Sequence, residues 1–334
     1  MPRRVASALL TTALLTVAVA GCSGDTGPAP QAAGPQVTAP TPPTQATAAP
    51  GQGAIPAPRV PAGTAPDRAF AVGVRQLKLN RDGTRPLPVT LWYPAAGKAG
   101  GQPERSADAA GGKFPVVMFS HGLNARPADY QTLLTRWAAA GFVVAAPTFP
   151  HTSRGGDGNA LDVLNQPADV SYVLTKVLAL DARAGDPLRG RLAADRVAAA
   201  GHSAGGVTTI GLFTARRDER LDAGVVFAGT ALGVGTAFAG AAAPQLFVHG
   251  EADEVVGYAA GKAVYDKVPW PKAMLSLPKG DHGRALLSDG AALRVVSDTT
   301  VNFLRWSLYG DASAKSRIPA DAARNDIATL DNRL

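Results

Sequence analysis

A six-residue corner, Gly201-His202-Ser203-Ala204-Gly205-Gly206, constrains the fold of this chain more than any other stretch. Arg196–Ala200 ahead of it is short and apolar enough for a buried strand, and Val207–Ala215 behind it reads as a helix. A strand that turns at once into a helix, with serine at the bend, is the G-x-S-x-G arrangement that lifts a serine hydroxyl above a sheet. The outer glycines follow from sterics, because a side chain at Gly201 or Gly205 would strike the neighbouring strand or helix. The helix start also aims free N–H groups toward the hydroxyl. A glycine-rich structural turn is the bland alternative.

Strands and helices alternate on both sides of this corner. Phe114–Ser120, Phe142–Pro147, Ala223–Ala228, Gln245–Gly250 and Ala273–Leu277 are short apolar runs of the kind found in central parallel strands. Helical segments are expected over Tyr130–Ala140, Pro167–Leu180, Ala259–Val268 and Leu293–Leu308. In the second of these Val170, Val173, Leu174, Val177 and Leu178 share one stripe. Phe70–Leu79 and Pro88–Pro94 flank Asn80-Arg81-Asp82-Gly83-Thr84, whose Asp-Gly pair marks a hairpin. Ala95–Lys113 reads as a Gly/Ala-rich surface loop. The expected fold is α/β, a mostly parallel central sheet with an antiparallel N-terminal hairpin and helices on both faces. Asp311–Leu334 balances acidic and basic residues around few apolar ones and is expected to be a loosely docked tail.

The first 66 residues read differently. Pro2-Arg3-Arg4 supplies a positive start and Val5–Ala20 an uncharged apolar stretch, the pattern of an export signal over residues 1–21. It closes on Val19-Ala20-Gly21-Cys22, which resembles the bacterial lipobox, so Cys22 is the expected lipidation site of an envelope lipoprotein on the extracellular or periplasmic face. Several acyl chains, at about 0.8 kcal/mol per buried CH₂, would hold it to a membrane. An ordinary cleaved signal is the simpler reading. Residues 22–66 are rich in Pro, Ala and Thr and too poor in apolar side chains to offset their ordering entropy, as in a disordered tether. Extended at about 3.1 Å per residue, it reaches roughly 140 Å. The catalytic domain is then expected over 67–310, with the tail at 311–334.

Composition removes some chemistries. Cys22 is the only cysteine, so no disulfide can form within the chain and no cysteine in the domain can act as nucleophile or metal ligand. The net charge of +7 invites a nucleic-acid reading, but no Lys/Arg run or aromatic-interleaved basic stretch supports one. A monomer acting on a small-molecule or lipid ester, without metal or organic cofactor, is expected.

A serine alcohol needs a base, and the base an orienting acid. Five histidines are available: His121, His151, His202, His249 and His282. His202 is pointed away from the serine by adjacency, His249 suits a satisfied position in an apolar strand, and His121 and His151 follow strand ends and border the site. His282, in Lys279-Gly280-Asp281-His282-Gly283 after the last strand, is the expected general base. In Gly250-Glu251-Ala252-Asp253-Glu254 the expected acid is Asp253, just beyond a strand end, with Glu251 and Glu254 as solvated charges. The oxyanion needs two backbone donors, and Ala204 N–H and Leu123 N–H are expected to supply them. Thr152–Asn165, rich in glycine, is expected to help shape the pocket.

The order Ser203, Asp253, His282 resembles that of α/β-hydrolases. With Trp92-Tyr93-Pro94 and Phe119-Ser120-His121-Gly122, these segments make Phe70–Tyr309 similar to a group of serine esterases. That group holds bacterial platelet-activating-factor acetylhydrolase-like, chlorophyllase-like and dienelactone-hydrolase-like enzymes, with the cutinase-like polyester hydrolases nearby. The resemblance implies an α/β-hydrolase fold and a carboxylic ester hydrolase working through an acyl-enzyme. True dienelactone hydrolases use a cysteine nucleophile, absent here. Polyester hydrolases carry aromatics where this chain has Leu123 and Gly229-Thr230-Ala231-Leu232. A peptidase or amidase, a polyester hydrolase and a non-catalytic surface-binding lipoprotein remain as alternatives.

Overall fold

The computed structural model describes Pro58, Val60 and Pro61, residues 63–288 and residues 290–334. The expected export signal, Cys22 and most of the expected tether lie outside the described residues. The hairpin comes first: β1 (Ala71–Arg81) and β2 (Arg85–Ala95) pair antiparallel from Ala71↔Ala95 to Arg81↔Arg85. Asp82 and Gly83 between them both take positive φ, as a tight hairpin turn requires. Within the following loop, β3 (Glu104–Arg105) pairs parallel to β1.

The alternating part then runs β4 (Phe114–Ser120), α1 (Gln131–Ala139), β5 (Val143–Pro147), α2 (Gln166–Leu178), β6 (Leu192–His202), α3 (Ala204–Gly211) and β7 (Leu221–Phe227). It continues through β8 (Gln245–Gly250), α4 (Tyr258–Lys267), β9 (Lys272–Leu277), α5 (Arg284–Leu287) and α6 (Ala291–Tyr309). The chain ends with α7 (Ala312–Ala322) and β10 (Thr329–Arg333). All ten strands form one sheet in the order β10-β9-β8-β7-β6-β4-β5-β2-β1-β3. From β5 to β9 every neighbouring pair is parallel.

Side-chain alternation explains the two cores. On β4, Val116 and Met118 face one layer while Val117 and Phe119 face the other. On β6, Val197 and Ala199 oppose Ala198 and Ala200 in the same way. The first layer is closed by Val170, Val173, Leu174 and Val177 of α2, with Val207 and Ile210 of α3 and Val264 of α4. The second is closed by Leu133, Leu134 and Trp137 of α1 and by Val296, Phe303 and Leu304 of α6. A sheet buried on both faces needs strands that are largely apolar, and β4, β5 and β8 are buried at every position.

Two expectations are corrected. The C-terminal stretch is not a loose tail, because α7 packs Ile318 and Ala322 into the second core and β10 extends the sheet antiparallel to β9. The mixed, largely polar composition of this stretch conceals this: an edge strand needs backbone pairing on one side and little apolar surface. Asp311 starts α7 by accepting from Ala314 N–H at 2.9 Å. At the other end, Val60 and Ala65 of the expected tether pack against the second core, so the folded part begins earlier than residue 67.

The order also locates the site. From β4 the chain moves to β5 on one side and then to β6 on the other, leaving a topological switch between β4 and β6. In open α/β sheets ligands bind outside the carboxyl ends of the strands at such a point.

Candidate active site

Ser203 stands at that switch point, where β6 becomes α3. Its φ of 57° and ψ of −119° are a strained backbone for a residue with a side chain. Its N–H donates to the Phe227 carbonyl at 2.9 Å, which ties the corner to β7. The need for glycine is direct: a Cβ on Gly201 would run into the Gly205 carbonyl, and one on Gly205 into the Ser120 carbonyl.

His282 leaves β9 on a short loop and reaches the same spot. Its Nε2 lies 2.8 Å from Ser203 Oγ and its Nδ1 2.8 Å from Asp253 Oδ2. With Asp253 ionised, Nδ1 carries the hydrogen and Nε2 is free to accept from the serine. Asp253 Oδ1 accepts from Val255 N–H at 2.9 Å and Val256 N–H at 2.8 Å. Burial opposes its ionisation, yet the hydrogen bonds from His282, Val256 and Val255 outweigh this and hold the carboxyl below its usual range. Asp281, beside the histidine in sequence, turns away and accepts from Arg284 N–H at 2.8 Å.

On the other side of Ser203, Gly122, Leu123 and Asn124 follow β4. Leu123 N–H and Ala204 N–H have no protein acceptor among the described residues. Leu123 borders a cavity of about 480 Å³ lined also by Ser203, His282, Tyr130, Arg154 and Leu287, and Ala204 follows Ser203 directly. Of the glycine-rich Thr152–Asn165, Arg154 lines this cavity and the Thr152 carbonyl accepts from Asn124 N–H at 2.7 Å.

The other histidines separate clearly. His121 is buried and accepts from Phe149 N–H at Nε2 (3.1 Å), so Nδ1–H donates to the Gly122 carbonyl at 2.8 Å. Burial lowers its pKa to about 4. It therefore braces the loop after β4 as a neutral ring. His151 is on the surface against Asp157 at 2.8 Å. His249 is buried on β8, its Nε2 2.8 Å from the Val256 carbonyl and 3.4 Å from Asp253 Oδ2, and burial lowers its pKa. Glu251 and Glu254 are exposed.

One arrangement has no counterpart in the sequence reading. His202 is buried, and its Nε2 lies 2.5 Å from the His282 carbonyl while its Nδ1 lies 2.8 Å from Tyr130 Oη. Tyr130 Oη in turn accepts from Gly122 N–H at 3.1 Å. Burial pushes the tyrosine hydroxyl well above its usual pKa and drops His202 to about 4, so both stay neutral. The chain of bonds is self-consistent in one tautomer, with Nε2–H donating to His282 and Nδ1 accepting from Tyr130. It ties the loop after β4, the corner at Ser203 and the loop after β9 together, and nothing in the spacing of residues 122, 130, 202 and 282 announces it.

Residues 106–246 match the family model described as Chlorophyllase. The matched stretch holds Leu123, Ser203 and Ala204 and stops before Asp253 and His282. A comparison with curated proteins found no match.

Proposed function

We propose, from the premise that the chain is an α/β-hydrolase, that it cleaves carboxylic esters through an acyl-enzyme on Ser203. The observation that carries this reading is the unbroken line Ser203 Oγ, His282, Asp253, with 2.8 Å at each step. His282 Nε2 takes the hydroxyl proton as Oγ attacks the ester carbonyl, and Asp253 stabilises the imidazolium that results. The tetrahedral oxyanion sits against the N–H groups of Leu123 and Ala204. His282 then protonates the departing alkoxide. A water activated by the same ring attacks the acyl-enzyme, and the acid leaves with Ser203 restored. The reaction runs on side chains and backbone donors.

The N-terminal sequence supports the reading of an exported protein anchored through Cys22. The decisive test uses Ser203→Ala with a soluble aryl ester. The expected result is loss of turnover with an unchanged far-ultraviolet circular dichroism spectrum; retention of most activity would remove Ser203 as nucleophile. A fluorophosphonate should label wild type and leave the variant unlabelled, which separates a hydrolase from a scaffold that only binds. Matched ester and amide substrates separate an esterase from an amidase.

A further inference from the structure

Six large apolar side chains stand exposed among the described residues: Leu123, Leu161, Leu164, Leu232, Val255 and Leu287. Their positions in the chain follow one rule. Leu123 comes after β4, Leu161 and Leu164 after β5, Leu232 after β7, Val255 after β8 and Leu287 after β9. Each belongs to a connection or short helix leaving the C-terminal end of a parallel strand, and Ser203 leaves β6 at the same edge. The N-terminal edge of the sheet and the outer helix faces carry none among the described residues. Single exposed apolar residues scattered over a surface need no explanation, whereas their collection around a reactive group does. The exposure is large: 71% for Val255, 70% for Leu161 and 61% for Leu232.

The charges of this rim point to what it meets. Arg154 pairs with Asp129 at 2.8 Å and Arg284 with Asp281 at 3.2 Å. His151 pairs with Asp157 at 2.8 Å. Arg126 and Lys279 are matched in number by Glu251 and Glu254. The described rim therefore offers no surplus of positive charge to anionic head groups, and its attraction is apolar. The sequence outside the described residues supplies the setting. An apolar run over Val5–Ala20 ending at Cys22 joins the domain through a Pro/Ala/Thr-rich stretch whose extended reach is long enough for any edge to turn toward a bilayer.

We propose that this rim docks the domain on zwitterionic or uncharged lipid, so that Ser203 draws its ester from a lipid phase. The proposal rests on the serine-hydrolase reading above. Burying side chains as exposed as Leu161, Leu232 and Val255 in the acyl boundary is favourable in proportion to the apolar area removed from water. Leu123 and Leu287 border the serine cavity itself, so the same apolar surface continues from the docking rim to the reacting bond.

The test uses the full chain with Cys22→Ser, so that no acyl anchor contributes, and phosphatidylcholine vesicles as the probe. This protein should co-sediment with the vesicles, with little effect of salt. Adding Leu161→Ser, Leu164→Ser and Leu232→Ser should reduce the bound fraction and the hydrolysis of a vesicle-embedded ester by about tenfold. Hydrolysis of a soluble short-chain ester should stay within about twofold, since none of the three touches the reacting atoms. Protein that remains in the supernatant while hydrolysing the soluble ester would overturn the docking proposal and leave the hydrolase reading intact. Equal vesicle binding by the triple variant would also overturn it. So would a wild-type dimer that the triple variant dissociates, which would make the rim an interface between copies. Vesicle binding lost in the triple variant, from a protein whose Ser203 no fluorophosphonate labels, would support docking and end the hydrolase reading.

Discussion

Replacing Tyr130 with phenylalanine tests the buried bonds around the serine with the loss of a single oxygen. Tyr130 Oη accepts from Gly122 N–H at 3.1 Å and lies 2.8 Å from His202 Nδ1. The phenylalanine ring fits the same space, but it leaves a buried N–H and a buried ring nitrogen without partners. Each such orphan costs about 1–3 kcal/mol, so the variant should lose about 2–6 kcal/mol of stability. Activity should fall as well, because the Gly122 peptide immediately precedes Leu123, whose N–H is the proposed oxyanion donor. Removing one such donor outright costs on the order of 10²–10³ in turnover, which sets a ceiling. Loosening it should lower kcat by about 10-fold to 100-fold, with KM little changed. Urea unfolding monitored by fluorescence and initial rates on a soluble aryl ester measure the two effects. A variant with the wild-type urea midpoint and the wild-type kcat would refute the reasoning. A raised KM at unchanged kcat would instead assign the hydroxyl to substrate contact.

Three further outcomes follow from the geometry. His121 and His202 are held neutral by burial at about 4, against 6.5 in the unfolded chain. Their folded values are depressed, so their contribution is complete above pH 6.5 and drains away as the pH falls toward 4, by about 3 kcal/mol each. The urea midpoint should drop across that window, and His121→Gln should make the drop shallower even as it lowers stability near neutrality. Asp253→Asn removes the acceptor that fixes the His282 tautomer and should cut kcat on the order of 10³–10⁴ while the protein remains folded, checked by rates and circular dichroism. Arg85 on β2 bonds Asp162 at 2.7 Å and Asp169 at 2.6 Å, both carboxylates being buried. Arg85→Met leaves Asp162 without its cation, while Arg81 still pairs with Asp169 at 2.8 Å, and should destabilise the fold by about 3 kcal/mol in urea unfolding.

Much of this molecule is legible residue by residue, and the reason differs from element to element. β4, β5 and β8 announce themselves because a strand covered on both faces must carry a mostly unbroken apolar run, such as Phe114–Phe119, Val143–Pro147 and Leu246–Val248. The elbow is legible because the turn itself demands glycine at Gly201, where a Cβ would meet the Gly205 carbonyl four residues on, although the collision at Gly205 is with the Ser120 carbonyl of β4. α2 is legible from its stripe, although the helix proper stops at Leu178 and a short tight turn over 179–182 completes the expected span. β10 was hidden for the opposite reason. Thr329–Arg333 is polar, and only the unpaired edge of β9 makes a strand of it. Tyr130 reads in sequence only as the start of a helix, since a hydroxyl gives no sign there of the ring 72 residues away that it meets.

By itself the sequence determined the alternation of strands and helices, the strained corner at Ser203 and the pool of acids and histidines from which a triad could be drawn. These follow from local sterics and from apolar periodicity, which act over a few residues. Tertiary structure alone decided that His282 and Asp253 meet Ser203 in one line, that His202 and Tyr130 brace the loops on either side, and that the exposed leucines share the serine's edge. Those relations join residues tens to hundreds of positions apart, and only the strand order and the burial it imposes bring them together.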